Sequence, residues 1–342
     1  MRVVVTGGAG FIGSNVARYY LDKGDDVVIL DNLSRAGSTK NLDWLASKGK
    51  HLIVIIGDIR RSEDIEKCKK YIRDADAVIH LAAQVAVTTS VQNPHEDFEI
   101  NALGTLNILE CMRASQSEAL FIYASTNKVY GAMENISVIE EETRYSYKNL
   151  HHGIPESQNL DFHSPYGCSK GAADQYVHDY NRIYGIDTVV FRQSCIYGPR
   201  QFGVEDQGWV AWFIIAIMFG KALTIFGNGK QVRDVLYIDD LIAAYDLAIQ
   251  KRKETKGKIY NIGGGPGITL SVWNEFGPIL ERLYGKRINI QYSDWRPGDQ
   301  PVYVSDIRKA RKEFGWGPTV GVQQGVAKLY HWISANKTLF AS

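Results

Sequence analysis

Short apolar runs alternate with longer segments of mixed polarity through the first half of the chain. Such runs are typical of strands buried on both faces, and the segments between them have the length of helices. Buried strands that alternate with helices pair in parallel, because each helix carries the chain back across the sheet. The pattern therefore predicts an α/β fold with a doubly wound parallel sheet, from runs at residues 3–6 (VVVT), 27–31 (VVILD), 51–58 (HLIVIIGD), 76–83 (DAVIHLAA) and 119–126 (ALFIYAST).

A glycine-rich turn follows the first run. Gly8, Gly10 and Gly13 match the spacing G-x-G-x-x-G, and Gly7 adds a further permissive position. Glycines let the backbone approach a pyrophosphate, whose charge is stabilised at the N-terminus of the following helix. About 20 residues later the next run ends in Asp31, where a carboxylate binds a ribose diol. These features predict a Rossmann-type dinucleotide site that includes Gly7, Gly10, Phe11, Ile12, Gly13, Asp31 and Asn32.

Asp31 also bears on the choice of cofactor. A carboxylate at this position repels the 2′-phosphate of NADP, so NAD is the predicted cofactor. Arg35 follows closely in the sequence and is able to pair with that phosphate. NADP therefore remains an alternative.

Small or polar residues end three more of the predicted strands. In an open parallel sheet, ligands bind beside the carboxyl ends of the strands. We therefore expect cofactor contacts from Asp58, Ile59, Leu81, Ala82 and Ala83, and catalytic groups at Ser125 and Thr126.

The segment SPYGCSK, residues 164–170, carries a candidate catalytic pair. Tyr166 and Lys170 are four residues apart, so a helix opened by Pro165 places both side chains on one face. An ammonium close to a phenol favours the phenolate and lowers the pKa of the phenol from about 10 towards neutrality. We predict that Tyr166 acts as an acid or base and that Lys170 lowers its pKa.

The regular alternation loosens after residue 195. A buried helix is predicted at 209–223, a short strand and a helix follow, and from 266 onward helix and loop predominate, with a polar turn at 295–299. We predict a dinucleotide-binding domain at residues 1–195 with a return segment at about 235–262. A smaller, discontinuous substrate domain is predicted at residues 196–234 and 263–342.

Composition disfavours several classes of function. A net charge of +1 over 342 residues gives no basic surface for nucleic acid, and the longest apolar run, 210–219, is too short for a membrane span. Glycines interrupt the N-terminus before a signal-peptide core builds up, so a cytoplasmic protein is expected. Neither a disulfide framework nor a metal site is indicated, because no C-x-x-C spacing joins the four cysteines, Cys68, Cys111, Cys168 and Cys195.

With these features in order, the chain resembles the extended short-chain dehydrogenase/reductase family over nearly its whole length. IYGPR at 196–200 and RDVLYIDD at 233–240 match segments that recur in that family. The resemblance implies an enzyme that acts on nucleotide-activated sugars with bound NAD and assembles as a homodimer or homotetramer. It implies that Thr126 orients the reacting oxygen and that Ser125 helps to line the site. Lys170 would hold the cofactor ribose.

Within the family, the flanking segments are most similar to a branch that inverts C2 of CDP-linked hexoses. That similarity implies hydride transfer through a transient 2-keto sugar, with no net redox change. It rests on STNKVYG (125–131), SPYGCSK (164–170), IYGPRQFGVEDQGWV (196–210) and RPGDQ (296–300).

Two positions depart from other branches of the family. Sugar 4,6-dehydratases resembling this chain carry an Asp-Glu pair directly after the catalytic threonine, where this chain has Asn127 and Lys128. Elimination of water therefore lacks its usual acids. Many relatives, including the 4-epimerases, have Asn at the position of Cys195, which disfavours a UDP-galactose type of enzyme. A UDP-sugar 4-epimerase and a non-catalytic nucleotide-binding protein stay as alternatives.

The substrate contacts are expected from the same resemblance. Arg233 and Arg296 are candidates for the diphosphate, because a guanidinium pairs with two phosphate oxygens at once. The segment 143–163 is longer than its connection needs, so we hypothesise that it covers the sugar through His151 or His152. The other expected substrate contacts are Thr126, Asn127, Arg200, Gln207 and Asp299, with Trp209 as a further candidate for the lining.

Overall fold

Seven parallel strands form the central sheet of the computed structural model, which describes residues 1–47, 50–296 and 299–340. All neighbouring pairs in this sheet are parallel. The predicted α/β fold with a doubly wound parallel sheet is confirmed. From one edge to the other the strands are β12 (Lys258–Ile262), β8 (Thr188–Gln193), β5 (Leu120–Thr126), β4 (Ala77–His80), β1 (Arg2–Thr6), β2 (Asp26–Asp31) and β3 (Leu52–Ile56).

Helices cover both faces of the sheet because side chains of each strand alternate between two apolar cores. Val3 and Val5 of β1 belong to one core, whereas Val4 belongs to the other. The first core includes side chains of α1 (Phe11–Asp22), α2 (Ser38–Ala46) and α9 (Ile238–Gln250). The second includes side chains of α3 (Ser62–Arg73), α6 (Gly104–Ala114) and α7 (Ser164–Tyr184).

The remaining helices are short or lie towards the C-terminus. A π-helical turn at Glu99–Leu103 joins α5 to α6. The remaining elements are α4 (Val87–Gln92), α5 (Pro94–Phe98), α8 (Trp209–Met218), α10 (Arg252–Thr255), α11 (Phe276–Tyr284), α12 (Arg308–Phe314), α13 (Val322–Ala335) and 3₁₀ turns at Asn127–Tyr130 and Lys337–Leu339.

The strand order reverses at β1, which has β2 on one side and β4 on the other. Chain connections leave β1 in opposite directions at this point, so an open crevice forms beyond the carboxyl ends of β1 and β4. The glycine turn follows β1, and Leu81 follows β4. The topology therefore brings the predicted cofactor residues to one edge of the sheet.

Several short strands pair outside the large sheet. β11 (Val232–Tyr237) pairs with β9 (Cys195–Tyr197), β13 (Thr269–Ser271) and β15 (Val302–Tyr303). Separate pairs join β10 (Leu223–Phe226) to β14 (Ile290–Ser293) and β6 (Val138–Glu140) to β7 (Tyr145–Tyr147). We propose the two-domain division because β12 returns to the large sheet, whereas β10, β13, β14 and β15 do not.

One expectation needs correction. The run at 51–58 forms a strand that is not buried: Ile53 is 38% and Ile56 is 52% exposed, because β3 lies at the edge of the sheet beside β2. Helix and loop predominate after residue 266, as expected, and the short strands β13, β14 and β15 also lie there. Pro297 and Gly298 of the turn predicted at 295–299 lie outside the described residues. Within the described ranges, no helix combines the length and apolarity of a membrane span.

Candidate active site

A cleft of about 470 Å³ lies beside the carboxyl ends of the central strands. It brings together the glycine turn, the end of β2 and the start of α7. All of the residues predicted to bind the cofactor line this cleft, namely Gly7, Gly10, Phe11, Ile12, Gly13, Asp31, Asn32, Asp58, Ile59, Leu81, Ala82, Ala83, Tyr166 and Lys170.

The glycine turn is packed so closely that side chains would not fit. Gly7 has a φ of +69°, and a Cβ there would lie 2.7 Å from the backbone nitrogen of Ala82. A Cβ at Gly13 would collide with the backbone of Gly7. α1 begins at Phe11 without a side-chain cap, so backbone N–H groups of its first turn are available to a pyrophosphate. The turn therefore fits a dinucleotide.

The carboxylate of Asp31 is held by the backbone around it. It accepts hydrogen bonds from the N–H of Ala9 at 2.9 Å and of Leu33 at 2.8 Å. Burial raises the pKa of Asp31, although these backbone N–H groups oppose that effect. Each carboxylate oxygen has two lone pairs, so acceptor capacity for a ribose diol remains. Next to it, Asn32 donates a hydrogen bond to Asp58 at 3.0 Å.

Arg35, because of which NADP remained an alternative cofactor, extends across the cleft. Its guanidinium donates a hydrogen bond to the side-chain oxygen of Gln207. Burial lowers the pKa of Arg35, and the nearby Tyr166 partly counteracts this. Arg35 therefore links the two walls of the cleft in this structure.

Tyr166 and Lys170 lie on the first turns of α7, which begins at Ser164 with Pro165 in its first turn. Both are buried, and both line the cleft. The Lys170 ammonium lies 4.3 Å from the centroid of the Tyr123 ring, where a cation–π contact compensates part of its desolvation. The predicted helix and the predicted shared face are both present.

The electrostatic part of that prediction is wrong for the protein alone. The pKa of Tyr166 is raised to about 12, mainly by burial and also by Asp97, while Thr126 and Arg35 oppose the rise. Lys170 is not among the groups that shift it. Burial lowers the pKa of Lys170 itself to about 7, against the opposing effect of Asp174. The phenol is therefore protonated at neutral pH, because desolvation outweighs the charges around it.

A buried polar network behind Tyr166 was not predicted from the sequence. Asp97 accepts hydrogen bonds from Ser169 at 2.5 Å and from Gln84 at 2.9 Å, and Asn101 donates to Asp97 at 3.1 Å. Asn101 lies within the π-helical turn. The network joins this irregular turn to α7 and so fixes the helix that carries the catalytic pair.

Ser125 and Thr126 end β5 and differ in where their hydroxyls point. Thr126 lies close enough to Tyr166 to lower its pKa, as expected for a group that shares the reacting oxygen. Ser125 donates a hydrogen bond to Asp174 at 2.7 Å, although it also lines the cleft. The hydroxyl of Ser125 thus supports α7, and Thr126 is the hydroxyl beside the phenol.

The predicted substrate residues divide into two groups. Thr126, Asn127, Arg200, Gln207 and Trp209 line the cleft. The guanidinium of Arg200 is nonetheless engaged elsewhere, since it lies 4.3 Å from the centroid of the Trp44 ring.

The other group lies just outside the cleft lining and is paired internally. Arg233 is buried and forms an ion pair with Asp299. Arg296 pairs with Asp206 at 3.1 Å and lies over the Phe226 ring. These pairs place the three predicted residues next to the cleft, with their charges already compensated.

The segment 143–163 does not cover the cleft. Part of it forms β7, and Ile154 hydrogen-bonds to Val304 at 2.7 Å, which ties the segment to the second half of the chain. His151 and His152 are exposed, and no residue of this fully described segment is among those lining the cleft. The hypothesis that these histidines contact the sugar is not supported by their position.

Lys128 and Cys195 also line the cleft and were not among the predicted site residues. In the sequence, both positions differ from the residues found in other branches of the family. That difference was the only feature of the sequence that could have indicated a role in the site. Burial lowers the pKa of Lys128 to about 8, with Arg233 lowering it and Asp299 raising it.

Comparisons with known proteins agree with this geometry. A family model described as GDP-mannose 4,6 dehydratase matches residues 4–329. A CDP-paratose 2-epimerase of Salmonella typhi is 48% identical over 341 residues, covering 98% of this chain and 100% of the relative.

Two solved structures have the same fold over nearly the whole chain. A UDP-glucose 4-epimerase of Thermotoga maritima, solved with UDP-glucose, has a TM-score of 0.83 at 31% identity and covers 99% of this chain and 100% of that one. A dTDP-glucose 4,6-dehydratase of Streptomyces venezuelae, with NAD and TYD bound, has a TM-score of 0.83 at 29% identity and covers 99% and 98%.

The cleft, the candidate pair Tyr166 and Lys170, and these matches agree on the type of protein. The glycine turn and Asp31 fit NAD, and the prediction of NAD as the cofactor is confirmed. The chain belongs to the extended short-chain dehydrogenase/reductase family of NAD-dependent enzymes, in the group described by the GDP-mannose 4,6 dehydratase model.

Proposed function

We propose that the protein inverts C2 of a CDP-linked 3,6-dideoxyhexose and so converts CDP-paratose to CDP-tyvelose. The observation that carries this proposal is the 48% identity, over the whole chain, with a CDP-paratose 2-epimerase. The cleft contains the groups that such a reaction needs: a dinucleotide site, a phenol beside a hydroxyl, and a buried lysine.

The residues after Thr126 support an epimerase over a dehydratase. Elimination of water needs an acid and a base close to adjacent carbons of the sugar. Asn127 and Lys128 both line the cleft, but an amide and an ammonium do not accept a proton. A keto sugar held here therefore keeps its hydroxyl groups.

The chemistry divides between cofactor and protein. NAD, held by the glycine turn, Asp31 and Lys170, would supply a cationic acceptor for the C2 hydride and a donor for its return. Burial keeps the Tyr166 phenol protonated in the protein alone, so its phenolate form would depend on the positive charges of Lys170 and of the bound nicotinamide. As phenolate, Tyr166 takes the proton of the C2 hydroxyl while the C–H bond breaks, and a 2-keto sugar forms. Thr126 donates a hydrogen bond to the same oxygen and holds it in place. Lys170 binds the cofactor ribose and stabilises the phenolate with its positive charge.

Inversion requires that the sugar turn over while the nucleotide stays bound. Rotation about the bond to phosphate presents the other face of the ketone, and Tyr166 then returns the proton to the oxygen. Arg233 and Arg296, beside the cleft, are positioned to exchange their carboxylate partners for a diphosphate. Firm contacts to the phosphates and few contacts to the sugar satisfy both requirements.

A UDP-sugar 4-epimerase is the second candidate, because a UDP-glucose 4-epimerase has the same fold with a TM-score of 0.83. The two candidates differ in the carbon that is oxidised and in the base. Purified protein should be incubated separately with CDP-paratose, UDP-glucose and dTDP-glucose, and the products followed by proton NMR. We expect inversion at C2 of CDP-paratose alone. Conversion of UDP-glucose, with CDP-paratose untouched, would select the second candidate.

The homo-oligomer implied by the family resemblance stays a prediction. Large apolar side chains are exposed on α5 and α7, at Phe98, Tyr176 and Ile183, and we infer that a second copy covers them. Light scattering on the purified protein should then give at least twice the 38.3 kDa of one chain. A single-chain mass at micromolar concentration contradicts the inference.

A further inference from the structure

Lys128 is a cation in the cleft with no side-chain partner among the residues that the structure describes. It follows β5 in the 3₁₀ turn Asn127–Tyr130, and its side chain is only partly accessible. Within the described ranges its ammonium donates no hydrogen bond and forms no ion pair, whereas its backbone N–H bonds to Thr126 Oγ1 at 3.2 Å. A desolvated ammonium is costly unless an anion or polar group compensates it.

The groups around Lys128 do not provide that compensation. Asp299 is the acid that raises the pKa of Lys128, but Asp299 forms its ion pair with Arg233, which repels the lysine. Cys195, which also acts on Lys128, offers only a thiol, and burial raises the pKa of that thiol so that it stays neutral. Arg296 is likewise neutralised, by Asp206. Of these three cations beside the cleft, Lys128 is the one whose charge is left for a ligand.

The position of Lys128 indicates which part of a ligand it meets. Thr126, two residues earlier, lies at the Tyr166 phenol, where the sugar reacts. Arg233 is near enough to lower the pKa of Lys128, although it lies outside the cleft lining. An anion bound to Lys128 is therefore close both to the reacting sugar and to Arg233.

We propose that Lys128 binds the sugar-side phosphate of a nucleoside diphosphate, in a subsite bordered by Cys195 and by the Arg233–Asp299 pair. This proposal rests on the proposed function, because it requires a nucleotide-linked sugar as substrate. It gives the phosphate a fixed contact next to the bond about which the sugar rotates. A pyrophosphate also occurs in NAD, but the glycine turn after β1 is the site for that group.

Binding measurements test the phosphate contact of Lys128 independently of whether the protein epimerises CDP-paratose. Calorimetry on NAD-loaded protein should compare CDP with CMP, which lacks the sugar-side phosphate, for wild type and for Lys128→Met. UDP with UMP and dTDP with dTMP serve as parallel pairs, so that an error about the base does not hide the effect. We expect Lys128→Met to weaken diphosphate binding about 10- to 100-fold, as for a hydrogen bond to a charged group. Binding of the monophosphate and of NAD should change less than about 3-fold.

Two further variants control for indirect effects. Lys128→Arg retains the charge and should bind the diphosphate within about 5-fold of wild type, which a damaged site would not. Lys309→Met removes another half-buried lysine, which lies over Tyr260 and away from the cleft lining, and should change no affinity.

Three results overturn the proposal. The first is an unchanged preference for diphosphate over monophosphate in Lys128→Met. The second is an equal loss for both nucleotides, or a loss of NAD, which means that the site is generally disturbed. The third is a wild-type protein that prefers no diphosphate over its monophosphate for any base. Selective diphosphate loss in a protein that does not epimerise CDP-paratose supports this proposal and removes only the proposed function.

Discussion

Replacement of Tyr166 by Phe should lower turnover about 10²- to 10⁴-fold while NAD stays bound. The expectation follows from the loss of the proton-transferring group, which contributes about 10²- to 10⁴-fold in enzymes of this kind, with the orienting hydroxyl of Thr126 left alone. Phenylalanine preserves the ring that fills the cleft wall at the start of α7. The measurement is the initial rate of CDP-paratose conversion by NMR, with NAD content determined on the same sample.

A matched tyrosine on the same helix controls for general damage. Tyr184 is 50% exposed and does not line the cleft, so Tyr184→Phe should leave the rate unchanged. Activity of Tyr166→Phe close to wild type would show that another group moves the proton. Loss of NAD from that variant would assign the tyrosine to cofactor binding instead.

Asp174→Asn should lower the free energy of unfolding by about 3–5 kcal/mol, the cost of breaking a buried ion pair from one side. The side chains of Asp174 and Arg192 are 0% and 3% exposed. Arg192 donates two hydrogen bonds to Asp174, at 2.9 and 3.0 Å, and Ser125 donates a third. The neutral amide leaves a guanidinium buried without its counter-charge.

Urea unfolding followed by tryptophan fluorescence measures this cost. Asp179→Asn is the matched control, because Asp179 lies on the same helix in an exposed pair with Arg182, where less than about 1 kcal/mol is expected. A double replacement, Asp174→Leu with Arg192→Met, should recover much of the stability by removing both charges. Similar effects for Asp174→Asn and Asp179→Asn would contradict the role given to the buried pair.

The large sheet and the cofactor side of the cleft were predictable because they depend on local pattern. Buried strands such as β1 and β4 are continuous apolar runs. The spacing G-x-G-x-x-G between a strand and a helix is typical of dinucleotide-binding turns. The pair on α7 depends only on helical periodicity and on Pro165. The ends of these strands then converge because parallel strands share one edge.

Other features depend on tertiary contacts that spacing does not contain. Exposure of Ile56 follows from the edge position of β3, which the sequence of that strand does not reveal. Strands as short as β15, at Val302–Tyr303, have too few residues for a period to appear. The pKa of Tyr166 was misjudged because a neighbouring charge can be inferred from spacing, whereas the depth of burial cannot.

The substrate side of the cleft shows the same limit. Arg233 and Arg296 were correctly associated with this region, but their pairing with Asp299 and Asp206 depends on distant segments coming together. The sequence indicated only that Lys128 replaces an acidic residue of related dehydratases. The structure adds that Arg233 and Arg296 are paired with carboxylates, so that among these three cations Lys128 is the one with no such partner in the described residues.

In the proposed reaction a hydride leaves C2 of the sugar and returns to the same carbon. The most direct test is CDP-paratose carrying deuterium at C2, incubated in ordinary water and followed by NMR. We expect CDP-tyvelose that keeps its deuterium at C2, because the transferred hydride does not exchange with solvent. Product with hydrogen at C2 would mean that a proton, exchanged with water, is removed and replaced there, and it would contradict the hydride mechanism.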